Sequence, residues 1–211
     1  MRLLKLLFSF VLFFLFSCVS KEPGILKKDF YVENINSFIK KIQNYNSVEG
    51  TLNLFYESKD GVLIDTEAFL RIESNKLILR VYYLGFPAGE IYEEDGQVSS
   101  NVFIEKDFLK QIVTGIKKGF LWWQGDFSIE ENPEEFTLKE TDRVVFIQKE
   151  DFVPVKQILT IDSKNILINY ERYEKIQTEE GELFIMPVSI KVNYKNFLLK
   201  IEIEKMKIQR G

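Results

Sequence analysis

Histidine is absent from the 211 residues, and cysteine occurs once. Without an imidazole to move the proton, neither Ser-His-Asp nor Cys-His nucleophilic catalysis is possible. A lone cysteine cannot close an intramolecular disulfide. With no histidine beside it, it cannot supply the ligands of a structural zinc site. The chain also lacks internal repeats, low-complexity tracts and any linker that would divide it. Only one long apolar run is present, and it lies at the very start. What remains is ordinary for a globular protein: 45% hydrophobic and 28% charged residues, and a length that supports one domain with one core.

The apolar run, Leu6 to Phe16, follows Arg2 and Lys5 and is broken only by Ser9. It is well short of the ~20 residues that span a bilayer. A short basic region, a short apolar region and a small residue before a cut describe a secretory signal, with a transmembrane anchor as the alternative. Leu15-Phe16-Ser17-Cys18 resembles the lipobox of bacterial lipoproteins. The resemblance implies that the Cys18 thiol carries a diacylglyceryl group, that cleavage falls before it and that the new amino group is acylated. Residues 1–17 are then a signal peptide, 18–28 a lipidated cysteine with a tether containing Pro23-Gly24, and 29–211 the folded domain. Cleavage removes two of the 28 basic residues, so the 32 acidic ones outnumber the rest by six. Such a charge balance gives no footprint for nucleic acid. Several acyl chains on one residue hold a protein firmly on a membrane. Val19 and Ser20 follow the cysteine, where Asp would resemble an inner-membrane retention signal. Residence at the outer membrane, facing the periplasm, is the expectation.

The spacing of Ile35, Phe38, Ile39, Ile42 and Tyr45 predicts a core-packing helix over 29–45. From Val48 the period is two. Leu52 and Leu54 alternate with polar positions, as do Leu70 with Ile72 and Leu79 with Val81. Turn signals separate the runs, including Lys59-Asp60-Gly61, Ser74-Asn75 and Asp95-Gly96. A second helix is predicted from Glu105 to Lys118, and Phe120-Leu121-Trp122-Trp123 follows it. Glu130, Glu131, Glu134 and Glu135 surround Pro133. They lack the ligand spacing of a calcium loop and read as a solvated acidic loop. Strands resume over 136–138, 144–148, 155–162, 166–174 and 183–194, and a final strand places Leu199 and Ile201 on one face. The total is about ten or eleven strands and two helices.

A single antiparallel sheet of that length twists and curls. The expected fold is mainly β: one curled antiparallel sheet forming an unclosed barrel, with the helices across its open side. Leu52, Leu54, Leu70, Ile72, Leu79, Val81, Leu199 and Ile201 are expected to line its concave face. Side chains filling the interior, or an apolar cavity for a greasy ligand, both fit the periodicity.

The segment Leu77 to Ile91, with Leu84-Gly85-Phe86-Pro87 at its centre, is similar to a stretch of the LolB and LolA family of lipoprotein localisation factors. Further matches follow in the same order. They are the tryptophan-containing Phe120-Leu121-Trp122-Trp123-Gln124 before Gly125, Ile168-Asn169-Tyr170, the turn at Gly181, Met186-Pro187-Val188-Ser189-Ile190 and the strand from Leu198 to Ile203. Tyr83 stands where the family pattern has Pro. The resemblance implies an unclosed β-barrel capped by helices around a cavity for acyl chains. It also implies a loop, here Leu84 and Phe86, that meets membrane or cargo. The implied partners are the acyl chains of lipoproteins or lipids, the outer membrane through Cys18, and a periplasmic LolA-like carrier. No cofactor or metal is needed, and a monomer is expected. Apolar binding needs no catalytic residue. The competing classes are a non-catalytic scaffold that binds an envelope protein, and a hydrolase with paired carboxylates, for which no motif is present.

Overall fold

The structure, a computed structural model, describes residues 34–58, 61, 63–102, 106–194 and 197–210. A helix, α1 (Ile35–Ile42), leads into the long strand β1 (Tyr45–Ser58). The first half of the sheet continues with β2 (Leu63–Glu73), β3 (Lys76–Tyr83), β4 (Phe86–Glu94) and β5 (Gln97–Ser100). A second helix, α2 (Lys106–Phe120), separates it from β6 (Ser128–Glu131), β7 (Glu135–Glu140) and β8 (Arg143–Gln148). The chain ends in β9 (Pro154–Ile161), β10 (Lys164–Gln177), β11 (Leu183–Tyr194) and β12 (Phe197–Arg210). All twelve strands belong to one sheet, in the order β5-β4-β3-β2-β1-β12-β11-β10-β9-β8-β7-β6. Every pairing is antiparallel, and the two halves join where β1 meets β12. The edge strands β5 and β6 do not pair, so the sheet is unclosed.

The twelfth strand corrects the expectation of ten or eleven. It is β6, which carries Glu130 and Glu131 and pairs Glu130 with Thr137. An edge strand of four residues needs no apolar alternation, and its charges discourage pairing with another chain. The first helix is also shorter than its periodicity implies. Asn34 caps it, accepting a hydrogen bond from the Ser37 amide, and it ends at Ile42. Tyr45 lies at helical spacing from Ile42 but starts β1. The cause is tertiary: Trp123 Nε1 and Gln124 Nε2 both donate to the Tyr45 carbonyl, at 2.7 and 2.9 Å. Gln43 returns the contact by donating to the Gly125 carbonyl at 2.8 Å. Trp122 and Trp123 are fully buried behind this clasp, edge to face with ring centres 5.5 Å apart.

A slip in β12 sets which of its residues face the core. Between Lys205 and Ile203 the register of β12 against β1 slips by one residue. Ile201 and Ile203 are therefore buried on odd numbers, and Ile208 beyond the slip is buried on an even one. Gly50 faces this bulge on β1. A Cβ there would overlap the Lys205 carbonyl oxygen, which is backbone and cannot swing aside. Gly50→Ala is therefore expected to cost about 1–3 kcal/mol. Urea unfolding should show a lower midpoint at an unchanged slope, and an unshifted midpoint would mean that the bulge relaxes freely. Pro187 sits inside β11 without shifting its register against β10. Pairing of β11 with β12 runs only from Ser189 to Tyr194, so Pro187 lies where no β12 partner needs its missing N–H.

Candidate functional site

The buried faces of β1–β4 and β7–β12 meet α1 and α2 in one continuous core. Adjacent lysines of α2 reach opposite flanks of the sheet. Lys117 pairs with Glu93 on β4 at 2.7 Å, and Lys118 with Asp142, between β7 and β8, at 2.5 Å. The helix thus bridges the two halves that the unpaired edges leave apart. Its C-terminal end is fastened further. The buried Gln157 donates to the Lys118 carbonyl at 3.2 Å. Tyr170 donates its hydroxyl hydrogen toward the Gly119 carbonyl and Gln157 Oε1, at 2.9 and 3.0 Å. Complete burial pushes the Tyr170 hydroxyl pKa far up, so it remains a donor. Tyr173, half-buried beside it, is pushed up to about 12, first by desolvation and then by Glu171.

The N-terminal half of α2 is held differently. Phe108 stacks on Tyr194 of β11 with ring centres 6.4 Å apart. The Tyr194 hydroxyl donates to Gln111 Oε1 at 2.7 Å, and Gln111 donates to Asp162 at 3.3 Å. Between this half of the helix and β10–β12 lies an apolar cleft lined by Phe108, Ile112, Ile116, Ile166, Val192 and Leu199. Gly115 also borders it and leaves the helix face flat there. Its volume is about 30 Å³, room for about two waters. Apolar ligands entering here must part α2 from the sheet.

A polar cleft on the other side of the α2 C-terminus is lined by Lys117, Lys118 and Arg143. Each of these cations already has a carboxylate partner: Glu93, Asp142 and Glu140 respectively. No group of His, Cys, Asp and Glu side chains that could hold a metal occurs among the described residues. None of the helices described is long and apolar enough to cross a membrane.

Leu52, Leu70, Ile72, Leu79 and Ile201 are buried in the core, and Leu54, Val81 and Leu199 pack against it half-buried. Of these eight, Leu199 borders the apolar cleft. Cys18 lies outside the described residues. The remaining cleft residues come from α2, β10 and β11. The even-numbered alternation Val188, Ile190, Val192, Tyr194 was visible in the sequence, but nothing there told which part of that face stays open.

Leu84 and Phe86 sit at the tip of the β3–β4 hairpin, 81% and 74% exposed. Leu84 and Gly85 both have positive φ, 51° and 79°, and Tyr83 pairs with Phe86 across them. This is a two-residue hairpin turn of the kind that favours Asn, Asp or Gly at both positions. A leucine at positive φ costs about 1–2 kcal/mol. An apolar side chain thus stands in water on a strained backbone position.

No protein-family model matches the sequence, and no curated protein matches it. Solved structures do. The fold is similar to that of the LolA superfamily protein from Nitrosomonas europaea, with a TM-score of 0.54 at 12% identity, covering 82% of this chain and 92% of that one. A domain from Vibrio parahaemolyticus named for outer membrane lipoprotein sorting aligns with a TM-score of 0.47 at 10% identity, covering 79% and 86%. The unclosed antiparallel sheet, with α2 bridging its two halves, therefore shares its fold with that LolA superfamily protein.

Proposed function

We propose that this chain is a lipid-anchored, non-catalytic carrier of acyl chains at the outer membrane. It takes the acyl groups of lipoproteins or lipids between α2 and the sheet and delivers them to the membrane. The observation that carries this reading is the apolar cleft beneath the N-terminal half of α2, the half not fastened to both flanks of the sheet. A hydrocarbon chain there is bound by burial alone, at roughly 25 cal/mol per Å² of apolar surface. The cleft is nearly filled, which is what a carrier without cargo and a plain scaffold for an envelope protein would both display. Saturable binding of a fluorescent fatty acid separates the two: a carrier binds it and a scaffold does not.

The anchor in this proposal is Cys18, the only thiol in the chain. Cys18→Ala should leave the precursor uncut by the lipoprotein signal peptidase and unlabelled by a palmitate analogue. Normal labelling of that variant would remove the anchor from the account.

The exposed hairpin tip is the delivery element, meeting the membrane or the cargo. Leu84 and Phe86 make little contact with the core, so exchanging both for Glu should leave the melting temperature within about 2 °C of the original. The same double variant should still bind acylated cargo in solution yet fail to pass it to liposomes. A large fall in melting temperature, or unimpaired delivery, would refute this role for the tip.

A further inference from the structure

The exposed apolar surface is wider than one turn. Among the described residues, Leu63 is 71% exposed, Ile64 48% and Tyr83 64%, alongside Leu84 and Phe86. The topology brings them together. β2 pairs with β3 as Glu67 with Tyr82, so the first residues of β2 lie beside the last of β3 and the β3–β4 turn. Leu63 and Ile64 then stand at the same end of the sheet as Leu84 and Phe86, one strand away. Val102, also exposed, covers Gly89 near the start of β4, at 2.7 Å from where a Cβ would stand.

Extending the reading above, and resting on its membrane anchor, we infer that this end of the sheet is a bilayer-docking rim. The start of β2 (Leu63 and Ile64) and the β3–β4 tip enter the same leaflet together. Three observations favour hydrocarbon as the occupant. The five side chains carry no charge, and their one polar group is a Tyr hydroxyl, which suits the boundary between headgroups and acyl chains. They project into solvent from strand ends and a two-residue turn. The anchor also has the necessary reach. The chain from Cys18 to Asn34 spans at most about 55 Å. The fourteen residues of β1 span about 46 Å. A domain tethered at Cys18 can therefore turn this rim down onto the membrane that holds the anchor.

The rim also leads inward. Ile64 pairs with Tyr56, and Leu54 lies two residues from Tyr56 on the same face. Tyr83 pairs with Phe86 and continues the face of Leu79 and Val81. Tyr56 pairs in turn with Leu199 on β12, which borders the apolar cleft. An acyl chain leaving that cleft follows apolar side chains to the bilayer.

The test uses the mature lipid-anchored protein in vesicles of phosphatidylethanolamine and phosphatidylglycerol that contain acyl-brominated lipids. With Cys18 blocked by its lipid, single cysteines introduced as Leu63→Cys, Leu84→Cys or Glu130→Cys each carry one fluorophore. The first two positions should be quenched by the brominated acyl chains, and Glu130→Cys, on the opposite edge strand, should not. Quenching at Leu84→Cys alone would overturn the two-element rim while leaving the single-tip reading intact. Quenching at neither position would overturn both. Fatty-acid binding by the same labelled proteins reports separately whether the carrier reading holds. All three positions are exposed, so unchanged melting of the labelled variants verifies their folding.

Discussion

Trp123→Ala is expected to be the most destabilising single change, lowering stability by about 3–5 kcal/mol. Trp123 is fully buried, and it stands where four elements converge. Its ring meets Trp122 edge to face, and its indole N–H holds the carbonyl of Tyr45 at the start of β1. Phe38 of α1 stacks on the neighbouring Trp122 at 6.3 Å, and Phe184 of β11 meets Tyr45 edge to face at 5.0 Å. Removing the indole opens a cavity below this cluster. Gln124 Nε2 still donates to the Tyr45 carbonyl, so that group is not left unpaired. The loss is therefore mainly one of packing, and Trp123→Phe should recover a good part of it. For a domain of this size the fall in melting temperature should be about 6–20 °C, read by thermal unfolding. A fall of under about 2 °C would mean that the clasp between helix, loop and β1 does not hold the core.

Leu199→Glu is expected to abolish fatty-acid binding while leaving the protein folded. Leu199 is only half-buried, so the domain can tolerate a carboxylate there better than at Leu79, which is buried. It borders the cleft opposite Phe108 and Ile112, where an ionised group would have to be stripped of water for a hydrocarbon chain to enter. A desolvation penalty of several kcal/mol corresponds to a loss of at least a hundredfold in affinity. Titration of a fluorescent fatty acid against the folded variant measures it. Undiminished affinity would move the ligand away from this face.

The parts of this picture that were legible in the sequence are those governed by strict periodicity. In β1–β4 each buried face has period two, and Leu52, Leu70, Ile72 and Leu79 fall inside as their alternation requires. The curled, incomplete barrel followed from the length of the sheet and from two helices too few to cover it flat. Illegible features had causes that are not local. Tyr45 fits a helical stripe, and its place in β1 is set by Trp123 and Gln124, far along the chain. The β6 edge carries glutamates because it needs to bury almost nothing. The bulge in β12 inverts the inward set beyond Glu204, and Gly50 on the opposite strand was its only trace. The exposed rim needed two facts together, the apolar residues at the start of β2 and the register that sets them beside the β3–β4 turn.

In the proposed function, acyl chains occupy the space between α2 and β10–β12. Native mass spectrometry of the protein purified without residues 1–18 tests it most directly, because any lipid found is then bound by the fold and not by the anchor. A carrier should retain one acylated molecule per chain, displaced by added fatty acid and missing from Leu199→Glu. A folded protein that carries no lipid and takes up none when fatty acid is supplied would contradict it.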